Sequence, residues 1–198
     1  MAHELMPPGR SLDIGCGGGH LSRFLADQGW EVAGFDISPA MIRMAQDRVP
    51  TGKFWVDDLR TAPLGNPTLV TATGEVLAYA LDKMALASFA GRLRATMRPG
   101  GLFLFDLPTF DQSRPTHAIR KGKGWEVEAW TQTTANERIR TIETRRGELV
   151  TRESHRQHLH DADEVLATLA AAGFAAQWLG GYDDHGFEPG WDGFLAKS

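Results

Sequence analysis

The stretch that most narrows what this chain can fold into is Asp13-Ile14-Gly15-Cys16-Gly17-Gly18-Gly19. A short strand-like run, Arg10 to Ile14, leads into it, and the helical spacing Leu21, Phe24, Leu25 follows. Glycines crowd such a turn because a Cβ would block both a sharp reversal and the close approach of a ligand to the backbone. Strand, glycine turn and helix together present backbone amides to a bound cofactor. The nicotinamide fingerprint wants a third glycine where His20 stands, which counts against a pyrophosphate here.

The alternation continues down the chain. Gly29 closes the first helix, Glu31 to Phe35 reads as a buried strand, and Asp36 stands at its carboxyl end. Ser38-Pro39 caps a helix through about Arg48, with Pro39 where its missing N–H costs nothing. A third strand, Lys53 to Val56, ends at Asp57-Asp58, and a fourth, Thr68 to Ala72, ends at Thr73-Gly74-Glu75. A helix from Lys83 to Met97 stops at Arg98-Pro99-Gly100-Gly101, before the near-continuous apolar strand Leu102 to Leu107. After an interruption, a helix from Asp161 to Ala172 and strands near Ala175 to Leu179 and Gly193 to Lys197 resume the pattern. The fold class expected is α/β: a doubly wound, mostly parallel, seven-stranded sheet with helices on both faces.

The interruption, residues 109–160, differs in kind. Trp125 to Thr133, Arg138 to Arg145 and Glu148 to His158 are polar, β-branched segments separated by Ala135-Asn136 and Arg146-Gly147. They read as an inserted antiparallel β-hairpin region within one domain spanning 1–198. Its arginines interleave with Glu137, Glu143, Glu148 and Glu153, as on a solvated hairpin surface with cross-strand pairs. The formal net charge of −4 leaves no surplus to hold a polyanion, so no nucleic acid is expected as partner. No apolar run approaches the roughly 20 residues that span a bilayer, and the first residues lack a signal-peptide core, so the expected location is cytoplasmic, with no membrane partner. One cysteine, Cys16, excludes an intrachain disulfide, and the histidines lack a convincing third ligand, so no metal is expected.

The sequence resembles the class I, Rossmann-like S-adenosylmethionine-dependent methyltransferases. The resemblance rests on Leu12 to Gly19, on Gly34-Phe35-Asp36-Ile37-Ser38-Pro39-Ala40-Met41, on Asp58-Leu59 after the third strand, and on the Arg98 to Gly101 turn. It implies S-adenosylmethionine as cofactor and methyl transfer to a small-molecule acceptor. It places Asp13 and the amides of Gly15, Cys16, Gly17 and Gly19 near the methionine end, and Asp36 on the two ribose hydroxyls. Asp58 would accept from the adenine amino group, with Asp57 as runner-up, while the Leu59 amide donates to a ring nitrogen and Ile37 and Leu59 sandwich the ring. Thr73, Gly74 and Glu75 would line the pocket beside the sulfonium, where a negative group also favours a cationic acceptor. Only about nine residues precede the first strand, where the family carries helices that help close the pocket. The insertion or a partner subunit is therefore expected to cover the site, unless the natural chain starts further upstream; a homodimer through hairpin edges is one such arrangement.

Methyl transfer needs orientation more than a fixed catalytic group, and a base only for some acceptors. His155, His158 and His160 at the end of the insertion, with Tyr79 after the fourth strand and Tyr182 near the end, are the candidates for that base, Tyr79, His155 and His158 foremost, and Cys16 reads as a small buried residue rather than a nucleophile. Two alternatives stay open. Asp36 would serve the ribose of an NAD(P)-dependent oxidoreductase equally well, and a protein that binds S-adenosylmethionine without transferring its methyl would carry the same motifs.

Overall fold

The computed structural model describes residues 6–110, 116–182, 186–187 and 190–198. The chain opens with β1 (Arg10–Ile14), α1 (His20–Asp27), β2 (Glu31–Asp36), α2 (Pro39–Arg48), β3 (Lys53–Val56) and β4 (Leu69–Ala72). A 3-10 turn, Val76–Tyr79, precedes α3 (Lys83–Thr96) and β5 (Leu102–Pro108). Four strands follow, β6 (Thr116–Gly122), β7 (Trp125–Thr133), β8 (Glu137–Arg146) and β9 (Leu149–His158), and the chain ends with α4 (Ala162–Ala171), β10 (Ala175–Leu179) and β11 (Trp191–Lys197).

Seven strands form one sheet in the order β10-β11-β5-β4-β1-β2-β3. All neighbours are parallel except at β11, which runs antiparallel to both β10 and β5. Helices cover both faces. On one, Leu86, Phe89 and Leu93 of α3 and Val165 and Leu169 of α4 pack on Val70, Phe103 and Phe105. On the other, Leu25 of α1 and Ile42 and Ala45 of α2 pack on Val32, Leu69 and Leu102. Phe103, Phe105 and Phe194 are fully buried and stack through centroids 4.4 and 5.1 Å apart, each ring stabilising the core by roughly 1.5–3 kcal/mol.

Helix starts follow their caps: Ser38, Asp82 and Asp161 each accept a backbone N–H three residues on, and Pro39 occupies the first helical position. Strand order reverses between β1 and β4, so the crevice above their carboxyl ends is the switch point where such sheets hold ligands. Among the described residues no helix is long and apolar enough to cross a membrane.

Between β5 and α4, β6 to β9 make a second, antiparallel sheet of four strands in sequence order. β6 has no counterpart among the strands expected from the sequence. Every residue of it is exposed, so it shows no apolar alternation, and only the turn ending at Gly124 marks it.

Candidate functional site

The site is built from the loops that leave β1, β2, β3 and β4 at their carboxyl ends. After β1 the chain turns at Gly15, whose φ is +63°; a Cβ there would lie 2.1 Å from Val76 Cγ2, so the β1 and β4 loops touch at this point. Gly17 has φ +51°, and a Cβ on it would meet nothing within 4 Å: its open side faces free space. Gly19 packs on Ala45 beneath the loop. Cys16 N–H donates to Phe35 O at 3.0 Å, and Gly17 N–H donates to Asp36 Oδ2 at 3.0 Å. Ser38 N–H donates to Asp36 Oδ1 at 2.9 Å. The Asp36 carboxylate is thus fixed between the glycine loop and the start of α2, with a second lone pair still free on each oxygen. Beside it Ile37 stands 71 % exposed, an apolar side chain with its face uncovered.

Asp13 is placed differently from what the resemblance implies. It lies under the loop, 3 % exposed, and its two oxygens accept from Ser22 Oγ at 2.7 Å and Thr71 Oγ1 at 2.8 Å. Burial pushes its carboxyl up to about 6, against the pull of those two hydroxyls. Its work is to tie β1, α1 and β4 together. Cys16 is buried, and burial pushes its thiol up to about 12, so it is a packing residue whose backbone, not its sulfur, belongs to the loop.

At β3 the structure alters a second expectation. Leu59 is buried in the main core, and its carbonyl accepts from Arg92 Nη2 at 2.7 Å, so its side chain does not stand opposite Ile37 as one half of an adenine sandwich. Asp58 is gripped by Arg60, with Nε 2.9 Å from Oδ1 and Nη2 2.5 Å from Oδ2. Those bonds draw its carboxyl down to about 2. Asp57 accepts the Asp58 N–H at 2.8 Å.

The β4 side is held by side chains from distant segments. Asp106, near the end of β5 and 0 % exposed, accepts the Gly74 N–H at 2.9 Å, the Glu75 N–H and the Tyr182 hydroxyl. Burial pushes Asp106 up, and burial with the Asp106 charge pushes Tyr182 up as well. Glu75 itself takes the left-handed conformation, φ 60°, unusual for a residue with a side chain. Its carboxylate pairs with Arg138 and accepts from Gln157 Nε2 at 3.1 Å, while Arg138 Nη2 reaches Gln157 Oε1 at 2.7 Å. Glu75 is therefore neutralised by β8 and is not a free anion awaiting a cationic acceptor. Thr73 is half-buried, Gly74 is exposed, and a Cβ on Gly74 would meet nothing within 4 Å.

The base candidates separate. Tyr79, 48 % exposed at the end of the 3-10 turn, meets the His155 ring edge-on at 5.8 Å. Partial burial and the Glu75 charge push its phenol up, against Arg138 and Arg140. His158 is out of place for the same work: one residue from Gln157, it falls on the opposite face of β9 from Gln157 and His155. Asp106, Arg138 and Gln157 were missing from the residues picked out of the sequence. The signal for Asp106 was an acid set in the apolar run Leu102 to Leu107; nothing local marked the other two.

The profile of a family described as a methyltransferase domain matches residues 1–177, across the glycine loop, Asp36 and the β4 edge. The chain belongs to the class I S-adenosylmethionine-dependent methyltransferases. It is 32 % identical over 138 residues to a trans-aconitate 2-methyltransferase of Variovorax paradoxus, covering 67 % of this chain and 51 % of that protein. The chain spans about half or less of the length of the curated relatives it matches. Among solved structures, a sugar N-methyltransferase from Streptoalloteichus superposes with a TM-score of 0.75 at 25 % identity, covering 98 % of this chain and 82 % of that one. An amino pentose methyltransferase from Micromonospora echinaspora, solved with S-adenosylmethionine, gives 0.80 at 20 % identity over 98 % and 86 %.

The methyltransferase crevice suits that cofactor on its own terms. The free space beside Gly17 and Gly74 is a cradle that side chains would fill, Asp36 keeps acceptor capacity for two hydroxyls, and Ile37 offers an apolar face.

Proposed function

We propose that this protein transfers the methyl group of S-adenosylmethionine to a small-molecule acceptor by in-line displacement. The observation that carries the reading is Asp36, pinned by the Gly17 and Ser38 amides with both oxygens still able to accept, beside the open side of the glycine loop. When bound, S-adenosylmethionine supplies a methyl carbon already activated by a positive sulfur. The residues of this chain then bind and orient. Asp36 accepts from the two ribose hydroxyls, the backbone of Gly15, Cys16, Gly17 and Gly19 borders the methionine end, with the Cys16, Gly17 and Gly19 N–H groups holding the loop's own shape, and Asp13 holds that loop from below. Ile37 covers one face of the adenine, and the Asp58 carboxylate with the Leu59 amide meets its edge.

Thr73 and Gly74 border the reacting end, and Glu75 holds the antiparallel sheet above them through Arg138 and Gln157. Residues 109–160 thus serve as a cover within one working unit spanning 1–198. Tyr79 and His155 are the groups placed to hold or accept a proton from a hydroxyl or ammonium acceptor. β6, exposed along its whole length and paired on one edge, supports a homodimer joined there, which sedimentation of wild type against a proline-substituted β6 checks.

Calorimetric titration with S-adenosylmethionine, S-adenosylhomocysteine and NADH tests the cofactor assignment. Binding of the first two, abolished by Asp36→Ala, with no heat from NADH, is the expected result; NADH binding alone would overturn it. Cofactor binding without turnover across a broad acceptor panel would leave a binding protein in place of a transferase.

A further inference from the structure

The face that β7, β8 and β9 turn toward the crevice is identified by Arg138 and Gln157, which reach Glu75. Side chains two residues apart along a strand share a face, so Arg140 and His155 belong to the same side, paired directly across β8 and β9. Thr131 of β7 is Arg140's partner on its other flank. One row therefore holds Thr131, Arg140 and His155, and the His155 ring rests against Tyr79 at the end of the 3-10 turn.

The two arginines of this face meet opposite fates. Arg138 is mostly buried and its charge is cancelled by Glu75. Arg140 is exposed, and among the described residues no carboxylate pairs with it. Glu153, on the same face of β9, lies against His155, 3.4 Å from its Nε2, rather than against Arg140. Arg140 lies near enough to Tyr79 for its charge to oppose, in small part, the rise that burial and Glu75 impose on the phenol. A guanidinium left without a counter-ion, flanked by a threonine hydroxyl and an imidazole and standing near a tyrosine, is a set of donors suited to a planar or tetrahedral oxyanion.

We propose that Arg140 is a specificity residue of the acceptor site and that the acceptor carries a carboxylate or phosphate group. This rests on the methyl-transfer reading and supplies the acceptor class that it leaves open. The charge sense is opposite to the one a free Glu75 would have imposed.

The test uses the full chain saturated with S-adenosylhomocysteine, titrated separately with trans-aconitate as a carboxylate probe and inorganic pyrophosphate as a phosphate probe. At least one probe binds the wild type, and Arg140→Gln weakens it roughly ten- to a hundredfold, the range for a lost hydrogen-bonded charge. Arg152→Gln removes the same charge from the opposite face of β9 and leaves probe binding unchanged. The probe that binds more tightly names the anion. The proposal is overturned if neither probe binds, if both bind Arg140→Gln as well as wild type, or if Arg152→Gln costs as much. S-adenosylhomocysteine itself binds all three proteins equally; should it bind none, the cofactor assignment fails. The probe titrations are then run on the protein alone and judged by the same criteria for Arg140.

Discussion

The crevice has two banks, and they are made by different means. On the β1–β2 bank the contacts that hold the Asp36 carboxylate are local: the glycine loop, Asp36 and Ser38 lie within two dozen residues, and backbone amides do the holding, with Thr71 reaching Asp13 beneath the loop. On the β4–β5 bank the holding is done by side chains drawn from far along the chain, Glu75 to Arg138 and Gln157, and Asp106 to Tyr182. A bank built from backbone is suited to a cofactor that does not change. One built from side chains on a separate sheet can be rewritten for a new acceptor without disturbing the first.

If that division is real, a change on one bank should spare the other. The largest effect is expected at Asp36→Ala. On the proposed reading it would remove two charge-assisted bonds to the ribose, each worth about 1.5–3 kcal/mol, so the cofactor Kd should rise by roughly a hundredfold or more. Arg138→Gln on the opposite bank should leave the cofactor Kd within a few-fold. Calorimetry on both variants compares them directly, and a comparable loss in the two would dissolve the distinction.

Arg138→Gln should show its cost in stability instead. Glu75 and Arg138 are both mostly buried, and removing one member of such a pair strands the other, at about 3–5 kcal/mol. Replacing both, as Glu75→Gln with Arg138→Met, should recover part of that loss, because no unpaired charge remains. Urea denaturation of the singles and the double gives the coupling. Equal losses in the single and double variants would mean that the pair does not hold the second sheet down.

Two buried groups, one at each bank's foundation, should oppose each other as pH changes. Asp13 stays protonated up to about pH 6 when folded but ionises near 4 when unfolded. Between those values the folded state binds the extra proton, so this group makes stability fall as pH rises, by about 3 kcal/mol in all. His160, 5 % exposed where β9 leads toward α4, is held by burial to about 4, against about 6.5 unfolded. Here the unfolded state binds the proton, and stability rises over nearly the same window. The two slopes offset in the wild type. Compared with it, Asp13→Asn should gain stability more steeply from pH 4 to 6.5, and His160→Gln should lose stability from pH 4 to 6. Unfolding curves at four pH values read both, and parallel profiles for all three proteins would show that neither proton is displaced on folding.

The banks also differ in how far their residues could be read from sequence. The glycine turn, Asp36 and the helix caps are short-range patterns in which spacing along the chain is spacing in space, and the sheet follows from their repetition. Asp106, Arg138 and Gln157 work through partners 19 to 82 residues away, and no local pattern encodes such pairings. β6 escaped because an exposed edge strand has no buried face to impose alternation. Leu59 was assigned an adenine-facing role from its place after Asp58, but the position that frees its amide also turns its side chain into the core.

The smallest effect is expected at Arg60, where the cofactor bank carries an ion pair made two residues apart. Asp58 is drawn down to about 2 by that guanidinium, and the same two oxygens are the ones an adenine amino group would use. Arg60 is largely in water and Asp58 is partly covered, and a pair with one member so exposed adds little to stability, so Arg60→Ala should leave Tm nearly unchanged. With the competitor gone, Asp58 is free to accept from the cofactor, and the Kd should tighten by a few-fold. Asp58→Ala should bring binding to the same weaker Kd with or without Arg60, so its cost is larger when measured from Arg60→Ala than from wild type. A Kd that instead weakens in Arg60→Ala would make the arginine a positioning residue for Asp58. A Kd indifferent to both substitutions would move the adenine contact to Asp57, whose Oδ1 already caps the Asp58 amide and whose other oxygen is then the acceptor to replace next.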